Sequence, residues 1–176
     1  RRRSGRRFGL RLALELPLLC LFAAAFISPA VSAADRPPNV VLILADDLGW
    51  ADLRCYGADL HETPHLDRLS RQSLKFTNAY AAAPICSPTR ASIMTGKHPA
   101  RLGMTIWHEG AAREPQTDRR LIPAHSEANL PHGEVTLAEV LRDAGYFTAH
   151  IGKWHLGEAE YYPEKPGFEL NIGGTL

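Results

Sequence analysis

A continuous apolar run over residues 39–45 constrains the fold of this chain more than any other feature. The run is a single Asn followed by Val, Leu, Ile and Ala residues, and two prolines precede it. An apolar run of this length without alternation is typical of a strand buried on both faces, as in parallel sheets covered by helices. The sequence therefore predicts an α/β fold with a largely parallel central sheet.

Two adjacent carboxylates follow this predicted strand directly. They belong to Asp46 and Asp47, and Leu48 and Gly49 come next. Ligands of open α/β sheets bind at the carboxyl ends of the strands, and carboxylate oxygens are good ligands for a hard cation such as Ca²⁺. The pair therefore indicates a divalent-metal site, with a solvated Asp-Asp turn as the alternative interpretation.

A second cluster of chemistry-bearing residues begins at Cys86. Ser87 is a good helix N-cap, Pro88 suits the first helical position, and Gly96 is a suitable stop. Cys86 would then stand at a helix N-terminus, where free amides and the helix dipole attract anions. Arg90 is unfavourable in that first turn unless an anion is present. These residues indicate an oxyanion site beside a reactive residue; the alternative is a buried structural cysteine near a solvated arginine.

The remaining elements follow from local signals. In chain order, these predict a helix opened by Thr63 and Pro64, a strand over residues 74–80, a helix from a capping box at Thr136 and Glu139 to Gly145, and a strand over residues 146–151. Each helix carries apolar residues at helical spacing, which predicts one buried stripe. Residues 97–132 lack periodicity, so we expect a surface excursion that either contacts substrate or is simply solvated.

Lys153 and His155 follow the last predicted strand. They lie two residues apart, so in an extended chain both face the same side. A lysine and a histidine at the carboxyl end of a strand suit a small anion that carries a leaving group. The alternative is a solvated loop anchored by Trp154.

The N-terminal residues predict an exported protein. Residues 1–34 are first rich in arginine, then apolar, then small, which is the order of a secretory signal peptide. Its apolar core is too short for a permanent membrane span. We therefore expect residues 35–176 to be exported to the periplasm, to the outside of the cell or to a lysosome-like lumen.

Charge and cysteine content narrow the possible functions. Without the six arginines and one glutamate of residues 1–34, the 20 basic and 19 acidic residues become 14 and 18, a net charge of about −4. No basic field for nucleic acid is left. Cys55 and Cys86 are the cysteines outside the signal segment, and we expect them not to form a disulfide.

The motif beginning at Cys86 is similar to a known family signature. Its Cys-x-Pro-x-Arg pattern, continued to Thr95 and Gly96, resembles that of the type I sulfatases of the alkaline phosphatase superfamily. The NVVLILADDLG segment at 39–49 and the GYFTAHIGKWH segment at 145–155 resemble two further parts of these enzymes, in family order. The resemblance implies that residues 35–176 are the N-terminal part of a sulfatase catalytic domain. That domain would be an alkaline-phosphatase-like sandwich, incomplete here, with a largely parallel sheet flanked by helices.

The resemblance also implies a mechanism and its cofactors. Cys86 would be converted by a formylglycine-generating enzyme to Cα-formylglycine, whose hydrated aldehyde attacks the sulfate sulfur. Asp46, Asp47 and the converted Cys86 would bind Ca²⁺. Arg90 would stabilise the hydrated residue, Lys153 would bind a sulfate oxygen, and His155 would assist elimination of sulfate.

The expected substrate is a sulfated carbohydrate or an aryl sulfate. Two alternatives remain: a phosphonate or phosphodiester hydrolase on the same scaffold, and a non-catalytic exported protein that binds calcium. The family's further metal ligands, histidine and lysine are expected beyond residue 176. For that reason we expect the isolated 176-residue chain to be inactive and poorly stable.

Overall fold

The structure is a computed structural model that describes residues 37–114, 118 and 120–175. The predicted signal peptide at 1–34 lies outside these residues. The chain divides between Leu44 and Ala45 into two units. Residues 37–44 represent the first unit, and every element and contact described below belongs to the second.

The described part of the second unit contains five α-helices, two short 3₁₀ helices and two strands. The α-helices are α1 (Pro64–Gln72), α2 (Cys86–Thr95), α3 (Pro99–Leu102), α4 (His108–Ala111) and α5 (Leu137–Asp143), the strands are β1 (Ala149–Ile151) and β2 (Leu170–Ile172), and the 3₁₀ helices are Arg54–Tyr56 and Ala159–Tyr161. None of the helices in the described residues is long and apolar enough to cross a bilayer.

The two strands form a parallel pair. Ala149 lies opposite Leu170 and Ile151 opposite Ile172. Parallel neighbours need a crossover connection, which residues 152–169 supply. This arrangement, with helices preceding β1, confirms the predicted α/β class and the parallel strand direction. The predicted strand at 146–151 is reduced to its last three residues.

Two other predicted strands are absent from the described residues. Residues 39–45 and 74–80 have no ladder partner there, and Leu74 is 88% exposed. A strand exists through hydrogen bonds to a neighbour, so apolar composition alone was an insufficient criterion. The second segment is instead held by a side chain, since the Tyr56 hydroxyl, 20 residues earlier, donates to the Phe76 carbonyl oxygen at 2.9 Å.

The core contains side chains of α2 and of residues 97–132, the segment for which the sequence predicts no regular structure. Its buried apolar side chains are Ala91, Met94, Leu102, Met104, Leu130, Ala138, Trp154 and Leu156. Because Leu102, Met104 and Leu130 fall within residues 97–132, the solvated-loop interpretation of that segment is wrong for a large part of it. Partly buried Tyr162 and Phe168 complete the packing.

The caps of α5 agree with the sequence, but the buried stripes predicted for α5 and α1 do not. Both hydrogen bonds of the predicted capping box at Thr136 and Glu139 are present, and Gly145 ends the helix at φ +86°. In α5, however, Ala138 is buried while Val140 is 55% exposed. Leu69 of α1 is exposed as well. Apolar spacing identified these helices but not which face is covered in the described chain.

Candidate active site

Cys86 is the first residue of α2. The N-cap is Ile85 rather than the predicted Ser87, and Gly96 ends the helix with φ +67° as expected. Ser87 is fully buried inside the first turn, where its hydroxyl accepts a hydrogen bond from the His108 amide at 3.0 Å. Its side chain therefore binds another segment instead of capping its own helix.

Arg90 lies one turn beyond Cys86, a spacing that places both on one face of α2. It is only 9% exposed. Its Nη1 donates to the Lys153 carbonyl oxygen at 2.5 Å, and its Nη2 lies 3.3 Å from Asp46 Oδ1. The guanidinium thus links α2 to the two segments that the sequence identified separately.

Asp46 is held by two cations. Lys153 Nζ donates to its Oδ2 at 2.5 Å, and Arg90 binds the other oxygen. The hydrogen bond from Lys153, followed by that from Arg90, holds the pKa of the Asp46 carboxyl below its usual value despite some desolvation. Asp46 is therefore ionised near neutral pH. Asp47 is exposed and has φ +54°, in the left-handed region, where aspartate is one of the tolerated residues.

His155 is buried on another side of this cluster. It is 5% exposed and has φ +60°. Its Nε2 lies 2.8 Å from Glu109 Oε2 on α4, while Lys153 turns to Asp46. The expectation that Lys153 and His155 simply face one side of an extended chain is thus replaced by two separate carboxylate contacts. Trp154 between them is buried and donates from Nε1 to the Tyr161 carbonyl oxygen at 2.8 Å, so it is the anchor that the sequence suggested.

Two residues of the site were missed by sequence reasoning. His108 is 3% exposed, and Glu109 follows it in the first turn of α4. The amide of His108 donates to Ser87, and its ring lies 6.3 Å from that of His155 between centroids. A backbone hydrogen bond within Glu109, and then the one with His155, lower the pKa of the Glu109 carboxyl. The adjacent His-Glu pair was the available signal, but the irregular segment around it gave no spacing to interpret.

The described residues include oxygen ligands of the type that a hard divalent cation prefers, but too few of them to complete a site. Asp46 is an ionised oxygen donor and Asp47 adjoins it, yet these residues form no group of three or more His, Cys, Asp or Glu side chains able to hold a metal ion. Calcium takes six to eight oxygen ligands. The described chain alone therefore supplies at most part of a metal site.

The two cysteines of the described chain are free thiols. Both Cys55 and Cys86 are partly buried and form no disulfide. The expectation of no bond between them is confirmed, and Cys86 retains its sulfur for other chemistry.

Comparison with known proteins identifies the family. The family description Sulfatase matches residues 38–172, most of the chain. The chain is 43% identical over 172 residues to steryl-sulfatase from Mus musculus, covering 89% of this chain and 26% of that protein. It is 41% identical over 143 residues to N-acetylgalactosamine-6-sulfatase from Homo sapiens, covering 81% of this chain and 26% of that protein.

Solved structures agree with these relatives. A crystal structure of Ps i-CgsB in complex with k-i-k-neocarrahexaose matches with a TM-score of 0.63 and 32% identity, covering 79% of this chain and 29% of that one. The chain thus spans about a quarter of the length of the relatives it matches. The family match over residues 38–172 includes Asp46, Cys86, Arg90 and Lys153. The chain therefore belongs to the sulfatase family.

Proposed function

We propose that the protein containing this chain hydrolyses sulfate esters to an alcohol and inorganic sulfate. The observation that carries the proposal is the ionised Asp46, which is held between Lys153 and Arg90. Arg90 lies one turn beyond Cys86 in α2. Membership of the sulfatase family supports the same reaction. A sulfated carbohydrate or an aryl sulfate is the proposed substrate.

The cations give this site its affinity for an anion. Lys153 is 37% exposed at its side chain, so its ammonium can meet a ligand, whereas Arg90 is buried and fixed by two hydrogen bonds. Lys153 would bind a sulfate oxygen, and Arg90 would stabilise negative charge near residue 86. Preorganised donors of this kind typically contribute about 3 kcal/mol each to transition-state stabilisation.

The nucleophile is proposed to come from Cys86 after conversion to Cα-formylglycine by a formylglycine-generating enzyme. A hydrated aldehyde supplies a second hydroxyl, which permits sulfate to be eliminated without a stable ester on the enzyme. His155 would hold or accept the proton that this elimination requires. Its buried ring binds Glu109 of α4, and the neighbouring His108 amide ties α4 to Ser87 beside Cys86.

Calcium is the proposed metal. Asp46 and Asp47 would contribute carboxylate oxygens, the converted residue 86 a further one, and the remaining ligands would come from outside the described residues. A bound Ca²⁺ polarises the oxygens of a sulfate ester. Export through the signal peptide at 1–34 is part of the same proposal.

The substrate class is proposed from the relatives. One matched relative is an N-acetylgalactosamine-6-sulfatase, and one matched structure contains a neocarrahexaose. Both names concern carbohydrates, whereas the mouse relative is a steryl-sulfatase. A carbohydrate sulfate is therefore the first substrate to test, with an aryl sulfate as the general probe.

The experiment uses the full-length protein, coexpressed with a formylglycine-generating enzyme, and an aryl sulfate. Mass spectrometry of the tryptic peptide containing residue 86 measures conversion of the thiol. We expect calcium-dependent sulfate release that Cys86→Ala abolishes and Lys153→Met lowers by about 100-fold or more. Faster turnover of an aryl phosphonate than of the sulfate would favour a phosphorus-ester hydrolase. An unconverted Cys86 together with calcium binding would indicate the non-catalytic alternative.

A further inference from the structure

The contact between Glu109 and His155 has no role in the proposed reaction. Glu109 Oε2 lies 2.8 Å from His155 Nε2, and the side chains are 52% and 7% exposed. The two residues are 46 positions apart, so no local element brings them together. The question is what this half-exposed carboxylate does for the buried histidine ring that it binds.

The backbone of His155 is fixed independently of this contact. The amides of Trp154 and His155 both donate to the Thr175 carbonyl oxygen at 3.3 Å. The φ of +60° at His155 is uncommon for a residue with a side chain and persists only where the surroundings enforce it. The main chain thus sets where the ring is, but the ring's rotation and tautomer require a side-chain partner.

Glu109 supplies that partner, and α4 is itself tied to α2. The His108 amide donates to Ser87 Oγ at 3.0 Å, and the His108 ring binds the Ala128 carbonyl oxygen through Nδ1 at 2.8 Å. Because Ser87 adjoins Cys86, these bonds fix the position of Glu109 relative to the head of α2.

The chemistry of the pair determines the histidine tautomer. An ionised carboxylate can only accept a hydrogen bond, so Nε2 must carry the proton that it receives. In a neutral ring the other nitrogen, Nδ1, is then a bare acceptor. Nδ1 is buried, and within the described residues no group hydrogen-bonds to it. That nitrogen is the ring atom left to exchange a proton.

We propose that Glu109 is a positioning residue, which holds His155 in the Nε2–H tautomer and leaves Nδ1 to accept a proton during turnover. This inference rests on the proposed function, since it assigns a support to one of its residues. A carboxylate that orients an imidazole in this way typically accounts for about 10- to 100-fold in activity.

The test compares four variants of the full-length, converted enzyme with an aryl sulfate. Glu109→Ala removes the acceptor, Glu109→Gln keeps an oxygen acceptor without the charge, and His155→Ala removes the ring. Glu127→Gln is the matched control, because Glu127 is 51% exposed and lies 3.3 Å from the ring of His125, which is 85% exposed. Thermal unfolding checks that each variant is folded.

We expect Glu109→Ala to lower kcat about 10- to 100-fold while KM changes less than about threefold. Glu109→Gln should recover most of the loss, since its amide oxygen still accepts from Nε2–H. Glu127→Gln should behave like wild type. An unchanged kcat in Glu109→Ala, or a rise in KM alone, would overturn the inference in favour of a passive or substrate-binding carboxylate.

A second readout does not depend on turnover. NMR of ¹⁵N-histidine-labelled protein distinguishes the two neutral tautomers, with His155→Ala assigning the signal. We expect the Nε2–H form in wild type and a mixture in Glu109→Ala; an Nδ1–H form in wild type would refute the inference. Should the converted wild type release no sulfate, the proposed function fails, and the tautomer result still decides the role of Glu109.

Discussion

Arg90 shows how a single side chain can satisfy conflicting local and global demands. A cation near the N-terminus of α2 meets the positive end of the helix dipole. Asp46 offsets that repulsion at 3.3 Å, and the Lys153 carbonyl oxygen accepts a second hydrogen bond at 2.5 Å. Its Nε remains without a hydrogen-bond partner among the described residues. In the structure, the negative charge that makes Arg90 acceptable in this turn comes from Asp46.

His150 gives the protein a predictable acid sensitivity. Its ring packs against Trp154 and Phe168, with centroid separations of 5.1 and 5.4 Å. Desolvation, followed by the charge of Arg90, lowers the pKa of His150 from its ordinary value of 6.5, although Glu164 opposes the shift. The unfolded chain therefore binds this proton more readily than the folded chain. The stabilisation is present above about pH 6.5 and is lost as the pH falls toward the lower folded value.

We expect His150→Phe to weaken this acid sensitivity, because phenylalanine keeps the aromatic contacts and cannot be protonated. Thermal unfolding of the full-length protein at about pH 8 and about pH 5 measures it. The drop in Tm between the two should be smaller in the variant than in wild type. His125→Phe, at a side chain 85% exposed, is the control and should leave the drop unchanged. Equal drops in wild type and His150→Phe would contradict the assignment.

At the scale of elements, Gly167 packs closely against the first turn of α5. Gly167 has φ +103°, and a Cβ there would lie 2.8 Å from the backbone nitrogen of Glu139. Gly96, at the end of α2, also has a positive φ of +67°, but a Cβ there would meet nothing within 4 Å. Comparing alanine substitutions at the two positions therefore separates the cost of backbone strain from the cost of steric overlap.

Gly96→Ala should cost about 1 kcal/mol, the usual penalty for a left-handed alanine. Gly167→Ala should cost clearly more, about 3 kcal/mol, because the N-terminus of α5 must move as well. Denaturant unfolding of both variants in the full-length protein measures the difference. Similar losses of stability at the two sites would show that the α5 contact yields freely.

These elements also show which parts of the fold could be predicted. The capping box at Thr136 and the stop at Gly96 are local, so the sequence alone was sufficient for α5 and for the end of α2. The strands predicted at 39–45 and 74–80 required partners that apolar composition does not specify. Ser87 is not the N-cap of α2, because its hydroxyl accepts a hydrogen bond from the amide of His108, 21 residues further along the chain.

At the scale of the whole molecule, the site combines segments far apart in the chain. Motif resemblance gave Asp46, Cys86, Arg90 and Lys153, three of which are in direct contact in the structure. Glu109 was not predicted, because it lies in a segment with no periodic signal and its partner, His155, is 46 positions away. Sequence motifs thus identify candidate site residues, whereas the tertiary fold determines which neighbours contact them.

Exposed apolar side chains near β1 predict how the chain behaves by itself. Phe147 and Ile151 are 70% and 72% exposed. Soluble monomers rarely expose large apolar patches, and an unpaired strand edge promotes association. Since the chain spans 26% of the mouse relative's length, we expect these side chains to be covered in the full-length protein.

We therefore expect residues 37–175, expressed alone, to bind the dye ANS, to self-associate with increasing concentration and to release no sulfate. The double variant Phe147→Lys/Ile151→Lys should weaken both dye binding and association, because two charges interrupt the apolar surface beside β1. Fluorescence titration and sedimentation velocity measure the two effects, with the full-length protein as the reference. A monomeric chain that binds no ANS would show that these side chains tolerate water without a partner. Sulfate release by it would show that Asp46, residue 86, Arg90 and Lys153 need no further ligands to complete the site.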